Sequence, residues 1–244
     1  MAFGVLPTDI YPTSPIMQME DRAMDNAFVT FIIPSLGGKS LPNALKSIRE
    51  QTDPRWRAIV GFDHRDPTIN PDEKVSVFTH RGYSKKGDDC IYCIEGMKSS
   101  AGMVRNACVA KATTEWVAFL DDDDIITNDY VEKLALEADG ADAVSFRMLY
   151  WHWQWLPPIT ARIDNFTHGS IGISFACRKS VFEKCQFTRG RGEDFRMLRD
   201  MRDAGFRIKI SPYLTYLVRH EKVTHRALDI KKEVEKELLN FYSR

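Results

Sequence analysis

The chain has 244 residues, enough to bury one good core as a single large α/β domain or two small ones. Its 34 basic and 34 acidic residues cancel, so no global field favours nucleic acid or an anionic membrane, and a bound nucleotide must be held by a local site. No run approaches ~18 consecutive apolar residues, the N-terminus lacks the basic-then-apolar order of a signal peptide, and five scattered cysteines argue for a reducing compartment. The expectation is a cytoplasmic protein with no transmembrane segment.

Residues 1–26 hold three prolines and mixed charge without a clear period and read as an N-terminal arm. Phe28 to Ile33 is an apolar, β-branched strand halted by Pro34. After a flexible turn from Ser35 to Ser40, Leu41, Ala44, Leu45 and Ile48 recur at helical spacing, predicting a helix over 41–51. Strands are expected over 56–62, ending at Asp63, and over 75–78. A loop rich in Gly, Lys and Asp covers 80–90; within it Cys90 and Cys93 have CxxC spacing but lack a second pair or a strand-to-helix context. Helix over 102–112, strand over 116–120 and helix over 130–138 complete the pattern of a doubly wound, largely parallel sheet. The second half is more aromatic and reads as mixed or antiparallel sheet. Residues 143–155 alternate, which on one strand places Trp151, Trp153 and Trp155 on a common face. Strands over 171–177, 207–210 and 214–218, a helix over 195–204 and an amphipathic helix over 229–242 follow. The tryptophans suit a buried core or dimer contact, with a sugar-stacking acceptor platform as the alternative. The Gly169 to Gly172 turn either lets backbone approach a sugar or simply enters the next strand. Asn165 to Thr167 matches a glycosylation sequon that means little in a cytosolic chain.

The chemistry concentrates at residues 116–124, WVAFLDDDD, where a buried strand ends in four carboxylates. Carboxyl ends of strands are where open α/β sheets place ligands. Adjacent aspartates repel, and a cation relieves that repulsion; hard oxygen ligands suit Mg²⁺, Mn²⁺ or Ca²⁺, and Mg²⁺ in particular is often held by one or two carboxylates plus substrate phosphates. A solvated acidic loop with Asp124 or Asn128 as a helix cap is the plain alternative.

Four features occur in one order. A strand ending in Pro34 precedes a helix closing in Ser47 to Gln51; a second strand ends in Asp63; Ala101 to Ala112, AGMVRNACVAKA, leads into Asp121 to Asp124; and Gly192, Glu193, Asp194 and Phe195 open a later helix ending before Gly205. This ordered set resembles the family 2 glycosyltransferases of the GT-A fold over roughly residues 27–226. The resemblance implies a mostly parallel central sheet flanked by helices with a smaller acceptor-side sheet. Residues 27–125 form the nucleotide-sugar half, 126–226 the acceptor half and 227–244 a C-terminal helix that caps the domain or forms a homodimer contact.

The resemblance also implies an inverting transfer from a nucleoside diphosphate sugar, with UDP favoured and GDP or dTDP as alternatives, to a hydroxyl on a glycan or other acceptor. The donor is expected at Pro34, Asp63, Arg105, Asp121, Asp122 and Asp123: Asp63 on the nucleobase, Arg105 facing the diphosphate or base, and the aspartates on ribose and metal. A divalent Mn²⁺ or Mg²⁺ falls to Asp121 and Asp123, the register within Asp121 to Asp124 being open by one residue. His220 resembles the late histidine that completes the metal shell, with His225 as competitor. Asp194 is the expected catalytic base. Alone, Asp63 reads equally as a turn aspartate, Arg105 as a helix-surface arginine, and Glu193 with Asp194 as favourable charge at a helix start.

The chain departs from the family pattern in two places. Ser35 to Gly38 replaces the Thr-Tyr-Asn usual after the first proline, and Asp63, His64, Arg65 and Asp66 replace Asp-Asp-Gly-Ser, so base recognition is expected to differ. Two rival readings remain. One is another metal-dependent nucleotide enzyme such as a nucleotidyltransferase, with Ser35 to Lys39 as phosphate loop. The other is a nucleotide-sugar or glycan-binding protein without turnover.

Overall fold

A computed structural model describes residues 26–81 and 100–242. The expected N-terminal arm, except Asn26, and the Cys90/Cys93 pair lie outside the described residues.

In chain order the elements are β1 (Val29–Ser35), α1 (Leu41–Arg49), β2 (Trp56–Asp63), β3 (Val75–His80), α2 (Ala101–Lys111), β4 (Trp116–Phe119), β5 (Ile125–Ile126), α3 (Tyr130–Glu137), β6 (Ala143–Tyr150), β7 (Trp155–Leu156), β8 (Phe175–Arg178), α4 (Glu193–Asp203), β9 (Ile208–Val218) and α5 (His225–Tyr242). A short 3₁₀ turn, Lys179–Glu183, follows β8. The strands form one mixed sheet in the order β3-β2-β1-β4-β8-β6-β9-β5, with β7 paired to β6. β3, β2, β1 and β4 run parallel. β8 then inserts antiparallel to both β4 and β6, and β6 and β9 are parallel again. The smaller acceptor-side sheet expected from the resemblance is not separate: β5, β7 and β9 extend the same sheet.

The strand composition explains why this half is central. All seven residues of β1 are buried, as are all four of β4, the continuous apolar reading of strands covered on both faces. Phe119, the last residue of β4, pairs with Ile32, three residues before β1 ends at Ser35, and the carboxyl ends of these parallel strands open on one edge. β2 comes so close to α2 that a Cβ on Gly61 would lie 2.6 Å from Val104 and 2.7 Å from Cys108. That glycine sets the helix-to-sheet distance.

The Ser47 and Gln51 pair has a structural explanation. Gln51, just past α1, is buried; its Nε2 donates to the backbone oxygens of Ser47 (3.1 Å) and Thr127 (2.8 Å), and its Oε1 accepts from the Val131 N–H (3.0 Å). Ser47 Oγ accepts from the Ile126 N–H at 3.2 Å. Together they clamp the chain leaving the acidic cluster, satisfying buried backbone groups that lack a ladder partner.

The second half corrects four expectations. Residues 143–155 are not one strand: Tyr150 N–H donates to Gln154 O (2.7 Å), Trp153 has φ +70°, and the chain turns back into β7. The three tryptophans therefore do not line one face. Trp151 is 57% exposed, Trp153 packs under Arg226 (4.2 Å) and against His220 (5.5 Å), and Trp155 lies under Arg147 (5.6 Å). The strand expected from Ile171 begins only at Phe175. The two strands expected over 207–218 are one, β9, which passes Pro212 at a register shift against β6, the place a sheet tolerates a missing N–H. α5 starts four residues early because Thr224 Oγ1 accepts the Ala227 N–H at 3.2 Å, a capping signal in the sequence. Its inner face joins Ile125, Leu149, Leu214 and Leu217 in a second apolar cluster.

Gly61→Ala should destabilise the fold by about 1–3 kcal/mol through overpacking. Urea unfolding should show a lower midpoint with an unchanged slope.

Candidate active site

The site stands at the carboxyl edge of β1 and β4, where the four aspartates diverge. Asp122 turns back to Ser35, whose hydroxyl donates to its Oδ2 at 2.6 Å. Asp121, Asp123 and Asp124 turn the other way, and each offers a carboxylate oxygen within 4.8 Å of the others. This resolves which of the four converge: three do, and Asp122 is not among them.

The group is held together against its own charge. Asp121 and Asp124 close a backbone turn at 3.1 Å. The Asp121 N–H donates to Tyr216 Oη at 3.1 Å, and Tyr216 also hydrogen-bonds the Asp124 carboxyl. The Arg219 N–H donates to Asp124 Oδ1 at 2.8 Å and its side chain reaches Asp123 at 3.8 Å. Arg219 adopts φ +56°, unusual for a residue with a side chain, and sequence reading passed over it. Asp124 is only 4% exposed; burial, then the Asp121 charge, pushes its carboxyl up to about 8. Burial and the charges of Asp121 and Asp122 also raise Asp123. Carboxylates held in this state fit a hard divalent cation, which would remove the repulsion that now favours protonation.

His220 is not part of the three-carboxylate group, but it lines a 130 Å³ cavity with Asp123, Asp124, Arg219, Ser40 and Asn43. Burial lowers its pKa, opposed by a hydrogen bond to the Tyr150 backbone, and Nε2 has no hydrogen-bond partner. A neutral imidazole with a free ring nitrogen beside two carboxylates is a competent ligand. His225 opens α5, is exposed and does not line that cavity.

Arg105 is buried. It does not face open space for a diphosphate: its side chain is 3% exposed and its guanidinium is committed to two carboxylates. Nη2 pairs with Asp121 and Nη1 with Glu193 at 2.9 Å. Burial opposes its charge, yet the two partners hold its pKa above the ordinary value.

Asp194 is the second residue of α4, whose first turn follows Gly192 at φ +72°. Its Oδ1 accepts the Phe195 N–H at 2.7 Å. Burial raises its pKa, the Phe195 bond opposes, and the nearby Glu193 and Asp121 carboxylates raise it further. Burial, and then the charges of Asp194 and Asp124, raise the pKa of Tyr150. It sits at the last position of β6, a place no motif in the sequence marks.

The remaining donor-site candidates line the same edge. Pro34 pairs with Gly61 and Ser35 with Phe62. Asp63 ends β2 opposite His80; its Oδ1 has no hydrogen-bond partner, with His64 Nε2 at 3.7 Å. On the other side, Tyr150, His152, Trp153, Gln154, Trp155, Leu156 and Gly169 line a 580 Å³ cleft. A roomier 720 Å³ groove lined by Thr114, Glu115, Arg178 and Lys179 lies at the opposite end of β4, away from this chemistry.

In the metal-free protein, Asp124 titrates higher when folded than the ordinary carboxylate value of 3.8. The folded state then binds the proton more tightly, so this group's contribution to stability is lost as pH rises from about 4 toward 8. Melting temperatures across that range should fall more steeply for the wild type than for Asp124→Asn. Equal slopes would contradict the repulsion described here.

Comparison with known proteins bears on the fold and the family. The chain resembles the Staphylococcus aureus protein TarS. Against TarS residues 1–349 in complex with UDP-GlcNAc the identity is 16% and the TM-score 0.58, covering 87% of this chain and 67% of that one. Against the full TarS structure the identity is 17% and the TM-score 0.57, covering 87% of this chain and 40% of TarS. A further TarS 1–349 structure matches at 16% identity and TM-score 0.57 over 78% of this chain, which spans 60% of its length. At this identity the likeness establishes the fold. No curated protein matches the sequence. Among the described residues no helix is long and apolar enough to cross a membrane. The sequence profile described as "Glycosyl transferase family 2" matches residues 30–191, and with the fold and the edge of β4 as described, the chain belongs to that family.

Proposed function

We propose that the protein transfers a sugar from a nucleoside diphosphate sugar, UDP-linked in the first instance, to an acceptor hydroxyl with inversion at the anomeric carbon. The observation that carries this reading is the meeting, across Arg105, of the Asp121, Asp123 and Asp124 group with the Glu193–Asp194 turn. One partner suits a charged donor and the other suits proton abstraction, and a transferase needs both within one site. The structural neighbour's complex with UDP-GlcNAc supports UDP sugars as the first donors to test.

In this reading Asp63, with an unpartnered buried Oδ1, accepts an N–H of the nucleobase. Pro34 and Asp122 shape the donor's edge, with Asp122 kept in place by Ser35. Asp121, Asp123 and Asp124 would hold Mn²⁺ or Mg²⁺, with His220 as a further ligand. When bound, the cation neutralises the departing diphosphate as a Lewis acid. Asp194 takes the acceptor hydroxyl's proton as that oxygen bonds to the anomeric carbon and the bond to the diphosphate breaks. Burial, by raising its pKa, makes it a stronger base than a solvated aspartate. The aromatic cleft beside Tyr150 suits a sugar-bearing acceptor, because ring faces there can stack on it.

Thermal melting with UDP, UDP sugars and other nucleoside diphosphates, each with and without Mn²⁺, tests the donor site. Saturation at ~100 times Kd adds about 2.7 kcal/mol to stability, and the shift should need Mn²⁺ and vanish in Asp123→Ala. No shift with any carrier would remove the donor reading. Asp194→Asn should keep the melting shift and lose about 10²- to 10⁴-fold in transfer. Because its pKa is raised and the ionised form acts, wild-type turnover should climb with pH through a limb above the ordinary aspartate range. Donor binding without transfer to any acceptor would favour a non-catalytic binder.

A further inference from the structure

One face of α2 is built to hold the segment that carries Asp194. Gly102, Arg105 and Asn106 are three and four residues apart and so share a side of the helix. Asn106 grips the backbone of Phe187 twice: its Nδ2 donates to Phe187 O at 2.9 Å, and its Oδ1 accepts the Phe187 N–H at 3.0 Å. The Phe187 ring lies under the Arg105 guanidinium at 5.3 Å, and that guanidinium reaches Glu193, the residue before Asp194. Gly102 lets the segment come this close. A Cβ there would stand 3.0 Å from Phe187 Cβ, 3.0 Å from Thr188 O and 3.4 Å from Glu193 Cγ. Two of those neighbours are backbone or backbone-proximal, so the segment would have to move. The other end of the platform is equally fixed, since Val104 and Cys108 of the same helix seat against Gly61 of β2.

We propose that Gly102, Arg105 and Asn106 are positioning residues that set the place of Asp194 relative to the acidic group, with Arg105 alone touching both sides. The inference rests on the reading of Asp194 as base and goes beyond it by assigning the distance between donor and base to one helix face. None of the three needs to touch substrate. A misplacement of about 1 Å can cost on the order of 10²-fold in rate, so a platform of this kind acts on turnover first.

The division of labour yields a pattern that general loss of structure would not. Gly102→Ala and Asn106→Ala should lower kcat about tenfold or more, while KM for the donor and calorimetric Kd for UDP with Mn²⁺ stay within about threefold. Arg105→Lys keeps the charge but cannot fork between two carboxylates; it should lower kcat and also weaken UDP binding with Mn²⁺. All assays are run well below each variant's melting temperature, and Asn106→Ser serves where Asn106→Ala does not fold. Unchanged kcat in both Gly102→Ala and the Asn106 variant would overturn the platform. So would a parallel loss of donor binding and kcat in those two, which marks a structural role only. Asp194→Asn separates the premises: full turnover there sinks the base reading, whereas its loss alongside unchanged kcat in Gly102→Ala sinks only the platform.

Discussion

Mutual repulsion among carboxylates at the end of β4 is the constraint around which the rest of the structure is arranged. Three aspartate oxygens within 4.8 Å of one another are unfavourable in a half-buried setting unless something compensates. The protein supplies part of the compensation from four directions: Arg105 from α2, Tyr216 from β9, Arg219 from the turn after β9, and Ser35, which draws Asp122 aside. Burial first, and the neighbouring carboxylates after it, still raise Asp123 and Asp124 above the ordinary carboxylate value. A hard divalent cation would supply the missing positive charge, which is the basis of the donor site proposed above.

The sheet explains how residues so far apart in sequence reach this edge. β1 and β4 run parallel and open their carboxyl ends on one edge, while β9 runs the length of the other half and delivers Tyr216 and Arg219 beside them. β8, inserted antiparallel between β4 and β6, sends the chain away from the edge, and the segment through Phe187 brings it back to α4. The buried Gln51 and Ser47 hydrogen bonds keep the exit from the acidic turn fixed, so the cluster is braced on both sides.

Much of this was legible in the sequence because it rests on local patterns. The continuous apolar runs of β1, β2 and β4, the helical spacing of α1 and the acidic run itself marked the parallel half and the site edge. The order of Pro34, Asp63, Arg105, the aspartates and the Glu193–Asp194 pair marked the family. What was not legible depends on contacts between distant segments. Alternation made Trp151 to Trp155 look like strand, but a left-handed backbone at Trp153 turns the chain, a feature period-2 patterning does not encode. Arg105 was recognised as important, but its pairing with Asp121 and Glu193 was not legible, because those partners lie 16 and 88 residues away. Tyr150, Tyr216 and Arg219 reach the site only through strand pairing, so single residues without a motif left no signal. Thr224, by contrast, was a readable helix cap that was missed.

The most direct test of the account is a crystal structure with Mn²⁺ and UDP, with diffraction recorded at the manganese edge. A single anomalous peak is expected within about 2.2 Å of carboxylate oxygens from the Asp121, Asp123 and Asp124 group, with the UDP phosphates beside it. UDP bound with no manganese at that group, or manganese held elsewhere, would contradict it.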